Sequence, residues 1–118
     1  MRRTTIYWVT SYYLRPGKAT EYQKWLTSDE AKRLFDQFER ETGFKYVNTY
    51  MPILGVGDYD AEDWFAAPDW AAFDKGRESK AFDEWVLKTW DMTDQTRIAK
   101  ARAMRSVKEV MITEKTEK

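Results

Sequence analysis

The 118 residues carry 20 Lys plus Arg against 20 Asp plus Glu, so no global field draws the chain toward nucleic acid or an anionic membrane. The chain has no cysteine and no histidine, which removes disulfides, thiolate ligands, Ser-His-Asp and Cys-His catalysis and the usual ligand of zinc or haem. Catalysis, where it occurs, has to use carboxylates, Tyr, Lys, Arg, amides or a substrate that supplies its own reactivity, and no cofactor or metal is expected. The length fits one domain, residues 1–118, with 113–118 as a frayed charged tail. No apolar run approaches the roughly 18 residues of a membrane span, and Met1-Arg2-Arg3-Thr4-Thr5 leads straight into a strand-like stretch, so a cytoplasmic location is expected. Six Trp, seven Tyr and six Phe exceed what a core of this size needs, so large flat surfaces must be buried somewhere.

From Thr5 to Leu14 the residues are mostly β-branched or aromatic until Arg15-Pro16-Gly17 ends the run, which predicts the first strand. Tyr22, Trp25 and Leu26 then share a helical face, and Ala31, Leu34, Phe35 and Phe38 repeat at helical spacing. The phase breaks between them, where Thr27-Ser28-Asp29-Glu30 offers a capping box, so the helix is expected to kink near Thr27 and to end on Gly43. Phe44 to Gly57 reads as a strand with Phe44, Tyr46, Asn48 and Tyr50 on one face and Val47, Thr49, Met51 and Ile53 on the other. Gly55, Gly57 and Asp58 form the next turn, and Asp60 to Ala66 a third strand. Pro68 suits the first turn of a helix running through Trp70, Ala71 and Phe73 toward Gly76. Ser79 caps a segment striped by Phe82, Trp85, Val86 and Thr89, and Thr93-Asp94 opens a third short piece through Ile98. Ala103 to Thr113 alternates as a fourth strand.

Strand, helix, strand, strand, helix, strand is the order of a ferredoxin-like βαββαβ fold: α+β, with a four-stranded antiparallel sheet and helices on one face. Two helical segments cover one sheet face only, yet Tyr and Trp occupy both parities of the first two strands, which leaves an aromatic patch. A second copy of the chain, presenting the same patch across a two-fold axis, is the expected cover.

Tyr12-Tyr13-Leu14-Arg15-Pro16-Gly17 followed by Glu21-Tyr22 and Trp25 resembles the strand-one signature of the dimeric α+β barrel superfamily. Trp64-Phe65-Ala66-Ala67 with Trp70-Ala71-Ala72-Phe73 and Arg77 is similar to its third strand and second-helix entry. The resemblance implies a dimeric α+β barrel. It also spreads the expected function over cofactor-independent antibiotic-biosynthesis monooxygenases, muconolactone-type isomerases, NIPSNAP and EthD-like proteins, and members without known activity. The haem-degrading members that this chain resembles use an axial histidine, which is missing here.

For a site, Trp8, Thr10 and Tyr12 share one face of the first strand and Tyr46, Asn48 and Tyr50 one face of the second. Asn48, the only asparagine, could orient a carbonyl or phenolate among phenols and indoles. On the catalytic reading, Asn48 and Arg105 stabilise developing oxyanion charge, Tyr50 or Tyr12 relays a proton, and Trp8, Tyr12 and Trp64 bind the substrate. The plainer reading makes the same rings core and dimer interface. Asp58, Asp60, Glu62, Asp63 and Asp69 imitate a calcium loop, but Asp63 stands where its glycine is needed, so no metal site is expected. Solvated turn charge is the expected account of these carboxylates, with one of them, buried beside Trp64 and acting as a general base, as the alternative. Arg97, Lys100, Arg102, Arg105 and Lys108 form a basic run without a nucleic-acid motif, best paired with acids or facing water, and Arg105 could instead hold a ligand carboxylate. The leading expectation is a protein that binds an apolar, aromatic or polyketide-like small molecule, with cofactor-independent oxygenation or isomerisation as the chemistry. The rival is a non-catalytic homodimeric interaction module.

Overall fold

The computed structural model describes residues 5–52, 59–97 and 100–105. Eight elements follow in order: β1 (Ile6–Tyr12), α1 (Ala19–Leu26), α2 (Asp29–Thr42), β2 (Lys45–Tyr50), β3 (Ala61–Ala67), α3 (Ala71–Arg77), α4 (Lys80–Thr89) and β4 (Lys100–Met104). The strands form one antiparallel sheet in the order β2-β3-β1-β4, which is the ferredoxin-like arrangement.

The expected helical kink is a full break. Thr27 ends α1, and Ser28, in extended conformation, starts α2 by accepting a hydrogen bond from the Ala31 amide. Gly43 closes α2 with φ of 89°, and a Cβ there would sit 3.0 Å from Pro68 Cγ, so both backbone and space require glycine. Ser79 caps α4 through the Phe82 amide, and Glu41 of α2 reinforces that cap: its Oε1 accepts from Ser79 Oγ at 2.6 Å and from the Ala81 amide at 3.0 Å. Hydrogen bonds from Ser79 first, then from Gln37 and Ala81, lower the Glu41 pKa to about 2.

Leu34 and Phe38 of α2, Phe44, Phe65 and Ala67 of β3, Ala72 of α3 and Ala81 of α4 pack into the main core, between the helices and one sheet face. A smaller cluster of Leu14, Tyr22 and Met92 closes the end where β1 leaves the sheet.

Two elements differ from the sequence reading. Thr93 makes a strand-like bridge to Leu14 in place of starting a helix, and Arg15 N to Met92 O and Asp94 N to Tyr13 O, each 2.9 Å, lash the segment after α4 to the end of β1. The fourth strand begins at Lys100, earlier than expected, because Arg102 and Met104 pair with Val9 and Tyr7; the expected continuation over 106–113 and the 113–118 tail lie outside the described residues. The expected 53–57 end of the second strand and the turn at Gly55, Gly57 and Asp58 also lie outside them.

An aromatic cavity with a buried carboxylate

Alternation along β1 points Trp8, Thr10 and Tyr12 toward the helices, opposite Phe65, Asp63 and Ala61 of β3. Over them lie Leu34, Phe35 and Phe38 of α2 and Ala81, Trp85 and Val86 of α4, and the space left between is a cavity of about 450 Å³. That is the size of a small-molecule site. Phe82 and Trp90, which also line it, are 45% and 48% exposed, so the cavity opens to solvent along α4. Its walls are fixed by ring packing: Trp8 against Phe44, Phe65 and Phe73, and Phe35 stacked on Tyr46 at 3.7 Å.

Asp63 is the buried charge of this cavity, 7% exposed, on the central strand β3. Its Oδ1 accepts from Tyr12 Oη at 2.8 Å and from Thr49 Oγ1 at 2.7 Å. Tyr12 in turn meets Tyr22 of α1 at 2.5 Å, and Thr49 meets Tyr46 at 2.6 Å. Burial is the main cause that pushes the Asp63 pKa up to about 6; the Thr49 and Tyr12 hydrogen bonds pull it down without cancelling that, and nearby Glu62 adds to the rise. Burial first, and then the Asp63 charge, also hold the Tyr12 and Tyr22 phenols well above their usual range, so both stay protonated donors.

The mouth has a different character. Arg15 donates to the Thr93 carbonyl at 3.0 Å and to Gln95 at 3.1 Å, which fixes the loop after α4 over the end of β1. Arg97 there lies over the Tyr13 ring, 3.5 Å from its centroid, and makes no ion pair among the described residues.

The opposite sheet face carries a second polar cluster. Glu62, 6% exposed, accepts from Ser11 Oγ at 2.9 Å, Arg102 Nη2 at 2.8 Å and Trp64 Nε1 at 2.7 Å. Burial pushes its pKa up, but the Trp64, Ser11 and Arg102 donors together outweigh it and the net shift is downward. Two adjacent carboxylates thus sit on opposite faces with opposite shifts: Glu62 has a cation and is held ionised, whereas Asp63 has only neutral hydroxyls and pays for burial.

The residues nominated from sequence divide between these places. Trp8 and Tyr12 line the cavity, with Thr10. Asn48, Tyr50 and Trp64 do not: Trp64 alternates with Asp63 and Phe65 on β3 and so faces outward, and a β-bulge between Tyr46 and Asn48 breaks the alternation of β2. Tyr46 and Thr49 face the helices, whereas Asn48 and Tyr50 pair with Trp64 and Glu62 on the outer face, where the Tyr50 and Trp64 rings touch at 6.1 Å. The expectation that Tyr46, Asn48 and Tyr50 share one face is therefore corrected. Arg105 follows β4 as an exposed residue, and the arginine that reaches a buried acid is Arg102. Solvated turn charge, the expected account of the acidic segment, is corrected for Glu62 and Asp63, both buried in β3. Sequence reasoning left Tyr22 and Thr49 unnamed as site residues and did not single out Asp63 among the acids. The available signal for Asp63 was its parity with Ala61, Phe65 and Ala67, all buried.

Helices on one face of a four-stranded antiparallel sheet, with a cavity between them, define a ferredoxin-like α+β protein. Solved structures share that fold. A NIPSNAP family protein of unknown function from Agrobacterium tumefaciens is 16% identical, with 90% of this chain and 91% of that one covered and a TM-score of 0.61. A Nitrosomonas europaea protein, described provisionally as an antibiotic biosynthesis monooxygenase, is 9% identical over 91% and 94% with a TM-score of 0.62. A protein of Bacteroides fragilis, described as dimeric, ferredoxin-like and of unknown function, is 4% identical over 90% and 100% with a TM-score of 0.60. No protein-family model matches the chain, and no curated protein does either. At these identities the likeness establishes the fold alone. Among the described residues, no helix is long and apolar enough to cross a membrane.

Proposed function

We propose that the chain acts as one domain that binds an apolar, aromatic small molecule in the cavity between sheet and helices. The observation that carries this reading is the cavity itself: about 450 Å³, walled by aromatic rings, open along α4, and supplied with one buried carboxylate. A core meant only to be filled gains nothing from leaving that space or from desolvating Asp63. The same geometry suits cofactor-independent oxygenation or isomerisation of an aromatic or polyketide-like compound. Such chemistry starts by taking a proton from an acidic O–H or C–H, and a carboxylate with its pKa raised to about 6 is a competent base near neutral pH. On this reading Asp63 takes the proton, Tyr12 positions Asp63, and Trp8 shapes the cavity. Asn48, Tyr50, Trp64 and Arg105 lie apart from the reacting group.

The outer sheet face supports an accompanying homodimer. Tyr50 is 51% and Met104 38% exposed beside the buried Glu62 cluster, a surface that a second copy would cover, and one of the similar structures is described as dimeric. The interaction-module reading rests on this face alone and leaves the cavity unexplained. Tryptophan quenching by a panel of phenolic and quinone ligands tests the proposal, because Trp8 and Trp85 line the cavity. Saturable quenching that is lost in Thr10→Phe, which fills the space from the sheet floor, supports it. Quenching unchanged by that substitution, or no quenching by any ligand, refutes it.

A further inference from the structure

The hydrogen atoms around Asp63 can be assigned by counting. Tyr12 and Thr49 each carry one hydroxyl hydrogen, and each donates it to Asp63 Oδ1. In the contacts behind them the donors must therefore be Tyr22 toward Tyr12 and Tyr46 toward Thr49. Two chains of hydroxyls from α1, β1 and β2 thus converge on one carboxylate oxygen, and all four hydrogens point toward it. The second oxygen, Oδ2, accepts nothing among the described residues, although Asp63 lines the cavity. Asp63 itself therefore offers the cavity lone pairs and no hydrogen. Thr10, across from Asp63 on β1, keeps a hydroxyl uncommitted among the described residues and lines the same space.

We infer that this pole recognises a ligand hydroxyl as a hydrogen-bond donor, so that the cavity takes phenols and enols in preference to ethers and quinones of the same shape; this rests on the reading of the cavity as a ligand site. A phenolic oxygen can give its hydrogen to Asp63 Oδ2 and accept one from Thr10. A quinone oxygen can accept from Thr10 but then sets its own lone pairs against those of an ionised carboxylate. A methyl ether has no hydrogen to give and leaves the buried acceptor unsatisfied.

The test is isothermal titration of the full chain at pH 7.5 with 1-naphthol, 1-methoxynaphthalene and 1,4-naphthoquinone. The naphthol is expected to bind at least about tenfold more tightly than either analogue, the usual size of a lost hydrogen bond to a charged group. In Asp63→Asn the amide oxygen can keep the Tyr12 and Thr49 hydrogen bonds while its NH₂ turns into the cavity. The order is then expected to reverse, with the quinone at least as tight as the naphthol. Equal affinity of all three for the wild-type chain, abolished by Thr10→Phe, overturns the donor preference and leaves the ligand-binding cavity standing. Failure of all three to bind overturns both. The wild-type ratio decides the question by itself should Asp63→Asn not fold.

Discussion

Asparagine in place of Asp63 keeps the side chain's shape and removes its charge, which isolates the free energy of burying that charge. The folded pKa is about 6 against an ordinary value of 3.8, a rise of roughly two units, and each unit corresponds to about 1.4 kcal/mol. The charged form therefore costs the fold about 3 kcal/mol. The pKa is higher folded than unfolded, so between about pH 4 and pH 6 the folded state holds more protons and this contribution to stability falls as pH rises. The groups packed against Asp63 are Tyr12 from β1, Tyr22 from α1, and Tyr46 and Thr49 from β2; all are neutral across that window, with Glu62 the nearest charge. Urea unfolding followed by tryptophan fluorescence, at one protein concentration from pH 4 to pH 7.5, measures the effect. Glu41, Glu62 and Asp94, whose pKa values are lowered, make both proteins gain stability as pH rises through the lower part of this range; Glu41 and Asp94 cancel in the difference, and Glu62 differs only by its repulsion with Asp63, which is one cause of the Asp63 rise. The expected result is that Asp63→Asn gains on the wild type by about 3 kcal/mol between pH 4 and pH 7. Parallel profiles would show that Asp63 is solvated, and the argument from a desolvated carboxylate would fail.

Gly43→Ala forces a Cβ into left-handed backbone and against Pro68, and is expected to cost about 1–2 kcal/mol in the same unfolding measurement. Glu41→Gln removes the charge that helps cap α4 and is expected to cost about 1 kcal/mol at pH 7. Because the folded pKa of Glu41 is lowered to about 2, that difference should be complete above pH 4.5 and disappear as pH falls toward 2. Arg102→Ala strands buried Glu62 without a cation, but the arginine side chain is 45% exposed, so a loss of about 1–2 kcal/mol is expected, below that for a fully buried pair. Restoration of wild-type stability by the further change Glu62→Gln would confirm that the stranded charge is the cause.

Local chemistry explains why most of the fold was legible. Arg15-Pro16-Gly17, Ser28, Gly43 and Ser79 each punctuate an element where the sequence places a turn or cap, and the apolar spacing of Ala31, Leu34 and Phe38 reports the buried side of α2 directly. The site was less legible because two of its determinants are not local. Tyr46-Val47-Asn48-Thr49-Tyr50 reads as clean alternation, and only the pairing with β3 shows that a bulge turns Thr49 toward the helices and Asn48 and Tyr50 away. The same applies to Glu62 and Asp63. Adjacent acids in a strand must face opposite ways, but that both are buried depends on side chains from other strands, Ser11 and Arg102 against Glu62 and Tyr12 and Thr49 against Asp63. Thr93-Asp94 looks like a helix start because its hydroxyl and carboxylate suit a cap. Its partner, Leu14, is 79 positions earlier and leaves no trace in the local sequence.

A crystal structure of the chain soaked with 1-naphthol tests the central claim most directly. The expected result is ligand density between sheet and helices, against Trp8 and Phe65, with its oxygen within about 3 Å of Asp63 Oδ2, the length of an ordinary hydrogen bond. Density only on the outer sheet face, or a cavity closed by side chains at high ligand concentration, would contradict it.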